Sequence, residues 1–194
     1  AIALLRPAMQ AGARVLVRTR LHADHVTWLG FGIGAAAAVA IARQQFVTGL
    51  VLLLASRAFD GLDGALARLT QPTDRGAFLD ITLDFLFYAS VPLGFALADP
   101  AANALAAAVL LAAFIGTGST FLAYAALAAQ RGQKSVAYPS KGLYYLGGLT
   151  EATETLLCFA LMCLWPRHFA ALAYGFSALC VLTIATRLWA GWRG

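Results

Sequence analysis

Residues 46–97 read FVTGLVLLLASRAFDGLDGALARLTQPTDRGAFLDITLDFLFYASVPLGFAL. Two apolar runs, 46–66 and 78–97, are each close to the roughly 20 residues that a helix needs to cross a hydrocarbon layer about 30 Å thick. The joint between them, 69–75, is short and contains Pro72, which cannot continue a helix. The two helices are therefore predicted to be antiparallel neighbours. Most of the charge in this hairpin gathers toward the joint, which gives it a polar end and an apolar body.

The same reading extends over all 194 residues. Hydrophobic residues make up 61% of the chain and charged residues 12%, against roughly 45–50% and roughly 25% in an average soluble domain. This composition excludes a water-soluble globule. It also excludes disorder, which needs a shortage of apolar side chains. The 18 glycines follow no period of three, and three cysteines cannot build a disulfide framework. Cys158, Cys163 and Cys180 all fall in apolar stretches, where they read as packing units.

The expected fold is an all-α integral membrane bundle of six transmembrane helices, over 26–42, 46–66, 78–97, 101–129, 143–165 and 169–189. Ahead of them, residues 1–22 mix Ile2, Leu4, Leu5 and Val15 to Val17 with Arg6, Arg14, Arg18 and Arg20. That segment is too interrupted to span a membrane and is predicted to be an amphipathic helix lying on an anionic membrane face. Residues 23–194 are then one six-span domain. Gly30, Gly32 and Gly34 resemble a dinucleotide loop only superficially. No strand precedes them, and in an apolar helix they point to close helix packing.

The net charge of +5 does not point to nucleic acid, because the basic residues neither cluster nor interleave with stacking aromatics. Membrane topology accounts for them better. With an even number of spans, Arg6, Arg14, Arg18, Arg20, Arg68, Arg75, Arg131, Lys134, Lys141, Arg187 and Arg193 share one side, whereas Arg43 and Arg167 lie on the other. Since cytoplasmic loops carry the excess of Lys and Arg, both termini and the 69–75 joint are predicted to be cytoplasmic, in a multi-pass protein of the cytoplasmic membrane. Arg57 stands apart as an intramembrane charge. Trp28, Trp165, Trp189 and Trp192 fall near span ends, as membrane-interface aromatics do.

An Asp at mid-membrane costs about 2.5–3.5 kcal/mol even on the lenient insertion scale, so acids kept there are functional by default. Asp60, Asp63, Gly64 and Ala67 form one helical stripe, and Gly76, Asp80 and Asp84 form another on the next helix. Antiparallel pairing would bring the four carboxylates face to face. They could not all remain ionised without opposite charge. Arg57 and Arg68 are too few to supply it, so hard divalent cations held by carboxylate oxygens are expected, and two of them would suit phosphate chemistry. Gly64, Ala67 and Gly76 lack bulk and leave room for a flat, phosphate-bearing ligand.

The run Asp60-Gly-Leu-Asp63-Gly64-Ala-Leu-Ala67-Arg68, followed by Gly76, Asp80 and Asp84, resembles the signature of the CDP-alcohol phosphatidyltransferases. The spacing between Arg68 and Gly76 is one residue shorter than in many members. The resemblance implies transfer of a phosphatidyl group from CDP-diacylglycerol to a hydroxyl acceptor, with release of CMP, in phospholipid biosynthesis. It further implies that Asp60, Asp63, Asp80 and Asp84 hold two Mg²⁺ or Mn²⁺ ions and that Asp84 doubles as the catalytic base. Asp63, Gly64, Ala67, Arg68 and Gly76 would shape the nucleotide pocket, and the enzyme would be a homodimer. A variant of the same chemistry passes a CDP-linked polar head group to a lipid alcohol.

A divalent-cation transporter is the alternative from another class, because intramembrane acids also line ion pathways. Such a carrier would show paired halves with broken helices, whereas this chain has one acidic cluster. The acceptor is less legible. Arg131, Lys134 and Lys141 suit one that carries phosphate. Glu151 and Glu154, three apart and expected to point inward, would either line an acceptor pocket or pair with Arg57 or with helix-borne hydroxyls. His22 and His25, flanking Asp24, read as interface anchors because no third metal ligand accompanies them.

Overall fold

The computed structural model describes residues 22–70, 73–130 and 150–193. Among the described residues the chain is all-α, as expected. The helices are α1 (Ala23–Ala42), α2 (Phe46–Leu69), α3 (Asp74–Ala98), α4 (Pro100–Gln130), α5 (Ala152–Leu164) and α6 (Phe169–Arg193), with a 3-10 turn at Pro166–His168 before α6. Residues 1–21 of the predicted interfacial segment 1–22 lie outside the described residues, as do Arg131, Lys134 and Lys141.

Four helical stretches are long and apolar enough to cross a membrane: Ala23–Ala42, Asp74–Ala98, Pro100–Leu127 and Pro166–Trp192. α2 and α5 are not among these four. α2 has 24 residues, but Arg57, Asp60, Asp63 and Arg68 lower its apolarity. α5 is described over 13 residues, about 20 Å of helix against a core of about 30 Å; its expected first turns, 143–149, lie outside the described residues. Large apolar side chains face outward throughout, with Val47 73%, Leu105 71% and Ile115 72% exposed. Patches of that kind would aggregate in water and are the surface that acyl chains require.

The chain divides into two compact units, one ending at Gly94 and the other beginning at Phe95. In the first, α1 ends on Gln44 in the left-handed region, φ 63°. There the Gln45 amide donates to the Ala40 carbonyl at 2.9 Å and the Gln44 amide to Ile41 at 2.8 Å, a Schellman stop that turns the chain straight into α2. The glycines of α1 then act as the sequence suggests, with one exception. A Cβ on Gly30 would sit 3.1 Å from Phe59 Cβ, and one on Gly34 would sit 2.6 Å from Phe87 Cδ2, whereas Gly32 has nothing within 4 Å. Ser56 completes the contact by donating to the Gly30 carbonyl at 2.7 Å.

In the second unit, Asp99 caps α4, its Oδ1 accepting from the Ala102 amide at 3.1 Å. Phe95 stacks on Phe169 at 4.5 Å, and Phe114 meets Phe159 and Phe176 edge to face at 6.1 and 6.3 Å. Cys158, Cys163 and Cys180 are buried and free, in keeping with a packing role.

Candidate active site

All of the acids that the sequence singles out on α2 and α3 reach one pocket within the first unit. α1 contributes Thr27, Gly30 and Phe31, α2 contributes Arg57, Asp60 and Asp63, and α3 contributes Asp80, Leu83 and Asp84; together they line an open space of about 230 Å³. Helical spacing accounts for each set. Residues three or four apart share a face, so Thr27, Gly30 and Phe31 come from one stripe, as do Arg57, Asp60 and Asp63 from a second and Asp80, Leu83 and Asp84 from a third.

Three of the four carboxylates converge. Asp60, Asp63 and Asp80 each present one oxygen, and the three atoms lie within 4.8 Å of one another. Asp63 is the most enclosed, at 4% exposure, and its Oδ2 is buried with no hydrogen-bond partner. A carboxylate oxygen taken out of water and given no donor is costly unless a cation faces it. The donor set is all oxygen and all anionic, which suits a hard divalent ion such as Mg²⁺ or Mn²⁺. The residues therefore fit the metal that the sequence leads one to expect.

The fourth carboxylate is engaged differently. Arg57 Nη1 donates to Asp84 Oδ1 at 2.5 Å and lies 3.5 Å from Asp60 Oδ1. The Arg57 side chain is 13% exposed, and its guanidinium carbon sits 3.8 Å above the Phe87 ring. Asp84 thus shares the pocket with the other three aspartates but stands against a cation that the chain itself provides. Of the partners that the sequence offers Arg57, the structure gives it Asp60 and Asp84. Glu151 and Glu154 are also exposed, not turned inward: Glu151 occupies the N-cap position of α5 without capping it through its side chain, and Glu154 lies in the first turn. Acids at a helix N-terminus are favoured by the helix dipole without needing a basic partner.

Of the residues expected to hold the nucleotide, Asp63 lines this pocket, whereas Gly64, Ala67, Arg68 and Gly76 do not. Gly64 and Ala67 follow the aspartates on α2, and the exposed Arg68 folds back along the helix, so that a Cβ on Gly64 would lie 3.5 Å from Arg68 Nη1. Gly76 opens α3; its amide donates to Thr73 Oγ1 at 3.0 Å, and a Cβ there would meet Asp24 Oδ1 at 3.3 Å. Asp24 Oδ2 also pairs with Arg75 Nε at 3.4 Å, tying the start of α1 to the start of α3. His22 and His25 face each other with ring centroids 5.8 Å apart.

Sequence reading missed the contributions of Thr27, Phe31 and Phe87, and it named Gly30 only for helix packing and Arg57 only as a counter-charge without a fixed partner. The signal for Arg57 was present: a lone cation one turn before Asp60 in an otherwise apolar run has to find an anion. Nothing in the spacing within α1 marks Thr27 or Phe31, because their role arises only when α1 packs on α2.

The model of the CDP-alcohol phosphatidyltransferase family matches residues 20–189. The inner membrane protein YnjF of Escherichia coli (strain K12) is 52% identical over 188 residues, covering 97% of this chain and 91% of that protein. The archaetidylinositol phosphate synthase of Methanothermobacter thermautotrophicus is 47% identical over 70 residues, 36% of each chain. The phosphatidylinositol phosphate synthase of Mycobacterium tuberculosis with CDP-DAG bound has the same fold, with a TM-score of 0.71 at 23% identity, covering 93% of this chain and 91% of that one. Its complex with manganese and citrate gives 0.69 at 22% identity, covering 95% and 88%. With a family model matching most of its length and a relative at more than half identity from end to end, the chain belongs to the CDP-alcohol phosphatidyltransferase family.

Proposed function

We propose that the protein transfers a phosphatidyl group from CDP-diacylglycerol to a hydroxyl acceptor, releasing CMP, as a metal-dependent step of phospholipid biosynthesis in the cytoplasmic membrane. The observation that carries this reading is the convergence of Asp60, Asp63 and Asp80 around an orphaned carboxylate oxygen. Family membership supports it, and so do the named ligand of one structural neighbour, CDP-DAG, and the manganese of another. The E. coli relative's name supports the inner membrane as its place. Residues 23–194 would act as one catalytic domain, in a homodimer, with the site and both termini facing the cytoplasm.

In this reaction the acceptor oxygen forms a bond to the phosphorus that carries diacylglycerol, the bond from that phosphorus to the CMP oxygen breaks, and the acceptor proton leaves. Asp84 would take the proton, because its carboxylate lies in the pocket but outside the group of three. Asp60, Asp63 and Asp80 would hold a divalent cation, which when bound neutralises charge on the diphosphate and on the departing CMP. The second cation of the expected pair would have to draw on Asp84, whose Oδ1 is already engaged by Arg57. Arg68, with Gly64, Ala67 and Gly76 leaving the backbone open, would meet the nucleotide. Arg131, Lys134 and Lys141 would meet the phosphate of an acceptor such as glycerol 3-phosphate or an inositol phosphate, with Glu151 and Glu154 offering acceptors to its hydroxyls.

The test is CMP release by purified protein in detergent with Mg²⁺ or Mn²⁺. Release from CDP-diacylglycerol that requires one member of an acceptor panel is the expected result. Release only from a CDP-linked head group with diacylglycerol would reverse the division of substrates. Cation flux into liposomes without any nucleotide turnover would replace the enzyme by a carrier.

A further inference from the structure

The pocket that holds the acidic group has one apolar way out. Six of its nine lining residues are polar or charged, and two others, Gly30 and Leu83, are buried. Phe31 is the remaining one, an apolar side chain that stays half-buried. Its ring meets the Trp28 ring edge to face at 6.2 Å, and Trp28 is 52% exposed. A path that leaves the carboxylates past Phe31 therefore arrives on the outer face of α1, which is apolar surface of the kind that acyl chains cover.

That face has a shape. Trp28, Gly32, Ala35 and Val39 are four, three and four residues apart, so they form one stripe beside Phe31. Two large exposed side chains, Trp28 and Val39, bracket two small ones, which leaves a shallow channel along the helix. Gly32 is the residue of this stripe that packing within the bundle does not explain. Glycine lowers helix stability more than any residue except proline. Gly30 and Gly34 are required by close contacts with Phe59 and Phe87, whereas a Cβ on Gly32 would meet nothing within 4 Å.

The chemistry of the two ends defines what would fill the channel. Inside the pocket, Asp63 is 4% exposed and its Oδ2 has no hydrogen-bond partner, so that end calls for a cation and the phosphate it would carry. From Trp28 to Val39, α1 has no charged residue, so the other end calls for hydrocarbon. A tryptophan near the start of a span marks the membrane–water interface, the level at which a lipid's glycerol backbone lies.

We propose that the stripe of Trp28, Gly32, Ala35 and Val39 binds an acyl chain of the CDP-linked lipid, with Phe31 as the lip over which its glycerol backbone enters the pocket. This assignment rests on CDP-diacylglycerol being the donor, as proposed above, and adds the side from which the donor reaches the carboxylates.

Gly32→Leu fills the channel from a position where it displaces no protein atom. Calorimetry on the full chain in detergent with Mn²⁺ compares two ligands, CDP-diacylglycerol and CDP-glycerol, which has the same diphosphate and glycerol without acyl chains. Gly32→Leu should weaken CDP-diacylglycerol by about tenfold or more, the scale of a side chain forced into occupied space, and change CDP-glycerol by less than about twofold. Its melting temperature should not fall. Phe31→Ser should act in the same direction. Gly175→Leu, at an exposed glycine of α6 that likewise meets nothing within 4 Å, should leave both affinities as they are. In turnover, Gly32→Leu should raise KM for CDP-diacylglycerol about tenfold with kcat within about threefold.

Equal losses for the two ligands, or no loss for either, would overturn the proposal. So would a lower melting temperature or a changed oligomeric state of Gly32→Leu in light scattering, since protein and not lipid would then cover the stripe. A wild type that binds CDP-glycerol as tightly as CDP-diacylglycerol would remove the acyl-chain site and leave the nucleotide site standing. A wild type that binds neither ligand would remove the proposed donor as well.

Discussion

Replacing Asp63 by Asn removes one charge from the most enclosed member of the acidic group, and the sign of its effect on stability should depend on metal. The oxygens of Asp60, Asp63 and Asp80 lie within 4.8 Å of one another. Two unit charges at that distance repel by about 3.5 kcal/mol at an effective dielectric of about 20. Asp80 is exposed and Asp60 half-buried, so solvent screens the pairs, and without a cation the crowded group is partly protonated; taking about a third of the full value for both reasons leaves about 2 kcal/mol for the two pairs that include Asp63. No hydrogen bond to Oδ2 is lost in exchange, since that atom has none. Without metal, Asp63→Asn should therefore melt about 4–8 °C above wild type. Mn²⁺ at about 100 times its dissociation constant should then stabilise wild type by about 2.7 kcal/mol, about 5–11 °C, and the variant by much less. Thermal unfolding in detergent, with EDTA and with Mn²⁺, reads both effects. A variant that melts below wild type in EDTA, or one that Mn²⁺ stabilises as much as wild type, would refute the idea that Asp63 is held in a repulsive site awaiting a cation.

Asp84→Asn should leave the folded protein intact and lower CMP release by about 100-fold or more, the scale of a lost general base; near-normal turnover would remove that role. Arg68→Ala should weaken CMP binding by about 10- to 100-fold, as expected for a lost charged hydrogen bond, and unchanged CMP affinity in calorimetry would count against nucleotide contact. Gly34→Leu forces a side chain into space filled by Phe87 and Ser56; it should cost about 1–3 kcal/mol and lower the melting temperature by several degrees, and a variant as stable as wild type would mean that α1 and α3 are not packed as closely as described.

The helices were legible because hydropathy over lengths near 20 residues decides them almost alone. Their ends were less so: α2 runs three residues beyond the predicted 66, through Leu69, and α3 starts at Asp74, four before the predicted 78, because charged residues remain helical past the apolar run. The acidic stripes on α2 and α3 were legible from their spacing, and three of the four aspartates meet as that spacing requires. The position of Asp84 was not. It pairs with Arg57, whose partner could not be chosen from sequence among Asp60, Asp84, Glu151 and Glu154 without knowing which helices pack together. The wall that α1 gives the pocket, through Thr27, Gly30 and Phe31, was hidden for the same reason. A small residue such as Gly30 shows that something comes close, but not what.

The central claim is that Asp60, Asp63 and Asp80 hold a divalent cation. Crystals of the protein grown or soaked with Mn²⁺, with diffraction measured at the manganese absorption edge, test it most directly. The account predicts an anomalous peak within coordination distance of one oxygen from each of these three side chains. A peak elsewhere, or none at a concentration that saturates Mn²⁺ binding in solution, would contradict it.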